Sequence, residues 1–302
     1  MAKTNPALRR QIQALNRLNL DVVDYSAVKE QVNAIFKHFT VTVTVSGLSS
    51  SLFRVRKNPS SKPTHVNHLK APPPEYVNGF QRCNGPGNPM FYAATKRIGA
   101  ILESRVEPGD TVYLGQWRID KRFTVNSLLH PKLSADMGLP QNSETALAFI
   151  DTVFTRPVHD TYSSQYMITA ALTERLTSDF PNDGQFETAD DGFVGLYYPS
   201  VVDIENTLNV AMHPNIVERC LTLAHVMEAT VVSCSNRNVT LNVTDNSNAM
   251  EDGNIEWLGN PDMIPLPQMP QGTMYVSTGK VWRLGVRDTP HTTDDMTYLL
   301  NE

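Results

Sequence analysis

Apolar positions recur along the chain in short runs whose period changes repeatedly. Leu8, Ile12, Leu15 and Leu18 follow helical spacing over residues 6–19, and Val28, Val32, Ile35 and Phe36 do so over residues 25–38. Two amphipathic helices are therefore expected first, the second capped by Asp24 or Ser26. Strict alternation from Phe39 to Val45, closed by Ser46-Gly47, predicts a strand, and Phe53 to Arg56 a second short one. Residues 57–90 are rich in Pro, Asn, Gly and Ser, with Pro72-Pro73-Pro74 and Gly85-Pro86-Gly87, and so exclude continuous helix or central strand. An irregular stretch of that length inside a compact domain is often functional.

Beyond it, Met90 to Ala94 predicts a buried strand, and Thr95 a cap for a helix over 96–105 that turns Ile98, Ile101 and Leu102 inward. Pro108-Gly109 ends that helix, and Thr111 to Leu114 begins another strand. Helices are expected over 143–154, 162–176 and 215–228, and short apolar strands over 193–198, 208–212, 229–232 and 239–243. Residues 244–272, with Pro261, Pro265, Pro267 and Pro270, predict loop, and Met274 to Leu284 a last strand before a polar tail. No internal repeat is present. Strands scattered among helices of unequal length indicate an α+β fold rather than a regular βαβ series.

Bulk properties narrow the function. At 302 residues, with 40% hydrophobic and 19% charged positions, the chain has the makeup of a globular protein. A net charge of −5 argues against a broad nucleic-acid-binding face, which requires excess Lys and Arg, yet leaves room for a small basic pocket. No run approaches the roughly 20 apolar residues of a membrane span. The N-terminus lacks the features of a secretory signal, so a cytoplasmic protein is expected, with export by a route that reads no such signal left open. Cys83, Cys220 and Cys234 lack metal-type spacing and are expected as reduced thiols. His65 and His68 form an HxxH pair without a third ligand, so no metal site is expected.

Four polar residues stand at the edges of apolar runs: Arg82 after the proline-rich segment, Tyr92 in the strand that follows, Glu103 on the next helix, and Ser200 after Tyr197-Tyr198-Pro199. Each alone has an ordinary reading as a solvated loop arginine, a core tyrosine, a surface ion-pair glutamate near Lys96, Arg97 and Arg105, and a turn serine. Their joint order changes that balance.

Taken in order, these segments resemble the RES domain, named for its arginine, glutamate and serine and found in bacterial toxins that degrade NAD. Phe53-Arg54-Val55-Arg56 looks like the opening arginine strand of that family. Arg82-Cys83-Asn84, Gly87 and Phe91-Tyr92-Ala93 look like its Arg-x-Asn…Tyr segment, although Gln81 and Cys83 stand where the family usually has glycine and tryptophan. Ala100-Ile101-Leu102-Glu103 resembles the glutamate helix. Asp191-Gly192, Tyr198-Pro199-Ser200 and Asn209-Val210-Ala211 resemble the serine segment and the strand after it.

The resemblance implies an ADP-ribosyltransferase-like split β-core with surrounding helices. It divides the chain into an N-terminal helical extension over 1–45, a catalytic core over 46–235, and C-terminal strands and tail over 236–302. It further implies an NAD glycohydrolase, or a phosphorylase if phosphate replaces water, that depletes NAD as a toxin does. A protein-modifying ADP-ribosyltransferase and a catalytically silent binding module are the alternatives. NAD is expected as substrate with no further cofactor, and a cognate antitoxin or immunity protein as partner; self-association stays open. In this reading Arg82, Tyr92, Glu103 and Ser200 are catalytic, while Arg54, Arg56, Asn84, Tyr198 and Asn209 hold the dinucleotide. Guanidinium groups suit a pyrophosphate, the Tyr92 ring suits nicotinamide and its hydroxyl a ribose or phosphate, and Ser200 suits a hydrogen bond to nicotinamide or ribose. A carboxylate suits the positive charge that builds on ribose as the glycosidic bond breaks.

Overall fold

The computed structural model describes residues 5–37, 44–45, 51–121, 123, 125–128, 141–177, 194–202, 207–235, 238–259 and 281–285. The sequence features expected at 39–43, 46–47, 191–193 and 261–280 lie outside them.

Helix α1 (Pro6–Asn16) starts where the Asn5 side chain accepts a hydrogen bond from the Ala7 amide at 2.8 Å. Helix α2 (Tyr25–Phe36) has Asp24 at its N-cap, without a side-chain capping bond. Of the expected strand over 39–45, Thr44–Val45 is described, as strand β1. Then come β2 (Ser51–Lys57), β3 (Phe91–Ala94) and helix α3 (Arg97–Glu103). Between β2 and β3 the proline-rich segment carries only two short 3-10 turns, Val66–Leu69 and Pro74–Tyr76. Thr95 does not cap α3, whose N-cap is Lys96. Instead the Thr95 hydroxyl accepts from the Leu208 amide at 3.1 Å, which extends the pairing of β3 with its neighbour.

The chain continues through β4 (Thr111–Ile119), β5 (Val125–Ser127), α4 (Gln141–Thr155), a 3-10 segment (Asp160–Tyr166) and α5 (Met167–Leu176). After these come β6 (Gly195–Pro199), β7 (Leu208–Met212) and the short helix α6 (Pro214–Cys220). The helix expected over 215–228 ends at Cys220, and β8 (Leu221–Cys234) takes over. Leu221 and Leu223 are buried while Thr222 between them is exposed, and β8 pairs with β4 from Ile119↔Leu221 to Thr111↔Thr230. Sheet pairing thus overrides a pattern that also fits a helix. Part of the expected loop after residue 243 is likewise strand: β9 (Asn238–Ser247), then the small β10 (Met250–Glu251) and β11 (Asn254–Ile255) pair, with β12 (Val281–Gly285) beyond.

The architecture is α+β. Ten of these strands form one mixed sheet in the order β1-β5-β6-β7-β3-β2-β4-β8-β9-β12, in which β5 and β6 run parallel and the other described pairs antiparallel. Near its middle the sheet opens. Seven register pairs join β2 to β4, but among the described residues Phe53↔Ala94 alone joins β2 to β3. Past that point the two strands diverge.

Period-2 alternation sends Phe91, Ala93, Tyr197, Val210 and Met212 to one face, where they meet Leu52, Trp117 and Ile216 in one apolar cluster. The other face carries two clusters. One gathers Leu196, Tyr198 and Ala211 under α1, α2, α4 and α5. The other gathers Phe53, Ala94, Leu114, Val231 and Leu241 under Ile98, Ile101 and Leu102 of α3. These two clusters do not merge above the β2–β3 divergence, and a cavity opens between them.

Candidate active site

The cavity has a volume of about 810 Å³, within the roughly 300–1,000 Å³ of small-molecule sites. Its lining draws on both clusters, with Tyr92 and Tyr198 from one and Phe53, Ala94, Ala100 and Leu102 from the other. Register explains why the polar side chains meet there. Tyr198 lies opposite Asn209, Asn209 opposite Ala94, and Ala94 opposite Phe53, so this row shares one face of the sheet.

Glu103 ends α3 directly over that row. Its Oε1 accepts from the Ser200 hydroxyl at 2.6 Å, the Val201 amide at 2.9 Å and the Asn209 amide group at 2.8 Å. Among the described residues Oε2 receives no such bond, so one carboxylate oxygen is anchored and the other is left for a ligand. The ion pair that Lys96, Arg97 or Arg105 could have made with this carboxylate is not formed among the described residues. Arg97 is turned inward, 2% exposed, where it donates to Gln116 at 2.9 Å and lies 4.2 Å from the Phe53 ring centre. Gly99 allows α3 to sit this low, because a Cβ there would fall within 3.0 Å of Thr207 Cγ2.

Tyr92 lines the cavity, but its hydroxyl is already engaged. It donates to Asn84 Oδ1 and accepts from the Cys83 amide at 2.9 Å. Burial raises its pKa well above the ordinary tyrosine value, which keeps it a donor. The ring, rather than the hydroxyl, is what Tyr92 offers a ligand. Asn84 therefore acts behind Tyr92 and lines a separate cavity of about 890 Å³ on the far side of its loop. Burial also pushes the Cys83 thiol up to about 12, so this cysteine is no nucleophile.

Arg54 fills the opening between β2 and β3. It donates to the carbonyls of Tyr92 at 2.7 Å, Leu69 at 3.2 Å and Lys70 at 3.4 Å, and lies 5.1 Å from the Phe91 ring centre. Where the strands part, the Tyr92 carbonyl has lost its ladder partner, and the guanidinium takes that place. Burial first, and then the charge of Arg56, draws the Arg54 pKa down to about 10, so it remains a cation at neutral pH. Arg82 donates to the carbonyls of Phe154 and, at 3.4 Å, Arg156, and lies 5.2 Å from the Tyr166 ring centre.

Seven of the nine residues expected from the sequence thus gather at one place: Arg54, Arg82, Tyr92, Glu103, Tyr198 and Asn209 line the cavity, and Ser200 touches it through Glu103. Arg56 is outside the lining, and Asn84 faces the neighbouring cavity. Lys57, Arg105, Ser163 and Tyr166 also line the site. Sequence reading missed them, although the basic pair Arg56-Lys57 and the Arg105 that follows Glu103 were available as signals. Among the described residues Arg54, Lys57, Arg82 and Arg105 line the cavity beside a single lining carboxylate, Glu103; Lys57 also pairs with Asp110 at 3.6 Å, so the guanidinium groups carry most of the cationic character of the lining.

An α+β protein with a cationic cleft and a buttressed glutamate is the class that this geometry defines. Residues 51–230 match the RES domain, so the chain belongs to the RES domain family, whose members are NAD-related, toxin-like domains. No curated protein matches the chain. Among the described residues no helix is long and apolar enough to cross a membrane.

Proposed function

We propose that this protein cleaves the nicotinamide–ribose bond of NAD and so depletes the dinucleotide, with water or phosphate as acceptor. The observation that carries this reading is the Glu103 carboxylate, held through Oε1 by three donors beside a cavity lined by four cations. A guanidinium has five N–H donors. The bonds of Arg54 and Arg82 to backbone carbonyls therefore leave donors for the pyrophosphate. The Tyr92 ring stacks on nicotinamide. As the C1′–N bond lengthens, positive charge grows on the ribose, and the fixed carboxylate stabilises it without having to reorganise. Nicotinamide leaves with the bonding electrons, the acceptor oxygen adds to C1′, and a proton is released. Ser200 and Asn209 serve by fixing Glu103. In a cell such an enzyme requires restraint, and we assign that role to an antitoxin or immunity protein covering the cleft in the cytoplasm of a bacterium.

Incubation of the purified protein with NAD labelled in its ADP-ribose part tests the reading. Free ADP-ribose, or its 1″-phosphate in phosphate buffer, is the expected product. Label on a macromolecule indicates a transferase instead, and intact NAD overturns the proposal. Glu103→Gln keeps an oxygen for the three donors but loses the charge. Turnover is expected to fall about 10²- to 10³-fold with NAD binding retained.

A further inference from the structure

Arg105 occupies a position where glycine is the ordinary choice. Helix α3 ends at Glu103 with Ser104 as its C-cap, and Arg105 follows in the left-handed region at φ 48°. Its amide donates to the Leu102 carbonyl at 3.0 Å, which completes a left-handed helix stop. A bulky side chain here is strained, and such outliers gather at functional sites. The backbone is held in place by Lys57, whose Nζ donates to the Arg105 carbonyl at 3.0 Å.

The side chain reaches across to a distant part of the chain. Its Nη2 donates at 2.8 Å to the carbonyl of Val158, in the segment that leaves α4. That segment supplies Pro157, Ser163 and Tyr166 to the cavity wall. Arg82 grips its start through Phe154 and Arg156. Arg105 ties its middle to the end of the helix that carries Glu103, two residues away. We infer that Arg105 is a positioning residue: it latches the 156–166 wall to the catalytic end of α3, so that the closed wall and the placed carboxylate form one unit around the substrate. The role in turnover rests on the NAD reading above, whereas the latch itself does not.

The test uses the full chain with Arg105→Gly, which relieves the left-handed strain, and Arg105→Lys, which keeps a charged donor. In ligand-free protein, amide exchange over 156–166 is expected to rise about tenfold in the glycine variant, as local opening becomes easier, with β8 unchanged and a thermal midpoint at or above wild type. With NAD, KM is expected to rise about tenfold, the factor for one lost charge-assisted hydrogen bond, while kcat changes far less; lysine restores most of it. Unchanged exchange over 156–166 overturns the latch. Faster exchange with wild-type KM and kcat overturns its part in turnover. If wild type leaves NAD intact, the NAD reading fails by itself, and the exchange comparison still decides the latch.

Discussion

Replacing Gly99 with alanine tests how closely α3 must approach β7. An alanine within a helix is usually favourable by about 1 kcal/mol relative to glycine. Here the added Cβ would lie within 3.0 Å of Thr207 Cγ2, closer than real Cβ atoms come. Ordinary carbon contacts lie at about 3.5–4.0 Å, so the helix has to withdraw by roughly 1 Å or more. Overpacking of this kind costs about 1–3 kcal/mol, which leaves a net destabilisation of about 0–2 kcal/mol and a folded protein. Catalysis suffers more. Gly99 and Glu103 are four residues apart on one helix face, and Thr207, directly before β7, is two residues from Asn209 within it. The same shift therefore opens the 2.8 Å contact between Asn209 and Glu103. A misplacement near 1 Å is expected to lower NAD turnover about 10²-fold. Thr207→Ser removes the clashing methyl, after which the nearest neighbours of the new Cβ are Ala94 Cβ at 3.5 Å and the residue-207 Cβ at 3.6 Å, both ordinary contacts. The double variant is thus expected to regain most of the activity, measured as initial rates of NAD loss beside thermal unfolding. Wild-type turnover in Gly99→Ala, or no recovery in the double variant, refutes this reasoning.

Tyr92→Phe keeps the ring but strands the Cys83 amide and Asn84 Oδ1, so stability is expected to fall by about 1–3 kcal/mol in denaturant titrations with little change in KM. Arg54→Ala removes three donors from backbone carbonyls and is expected to cost about 3 kcal/mol or more, read as a lower unfolding midpoint. Burial, with the charge of Arg97 second, draws the His225 pKa down to about 3. Between about pH 6.5 and 3 the unfolded chain therefore binds a proton that the folded chain refuses, and stability falls as pH drops, by up to about 1.4 kcal/mol per pH unit. His225→Gln is expected to flatten that slope in unfolding curves taken across the same range.

The local pattern made much of this legible. Short apolar runs mark β2, β3 and β7, the apolar spacing of Ile98, Ile101 and Leu102 marks α3, and the order of Arg82, Tyr92, Glu103 and Ser200 marks the candidate site. What remained hidden depends on partners distant in sequence. The Ser200–Glu103 contact spans 97 residues, and nothing near either residue announces it. The Tyr92 hydroxyl reads as free until Asn84 and the Cys83 amide are seen to enclose it. Strand β8 has apolar spacing that suits a helix as well, and only β4 and β9 on either side decide the matter. Arg105 looks like surface charge because its left-handed backbone and its hold on Val158 exist only in the folded chain.

The parting of β2 and β3 also fixes how wide the cleft can be. One rung of backbone and the reach of the Arg54 side chain span the gap, so the distance between the two halves of the sheet is set by the length of an amino acid rather than by ladder geometry. Evolution can tune such an aperture one methylene at a time, leaving both half-sheets intact.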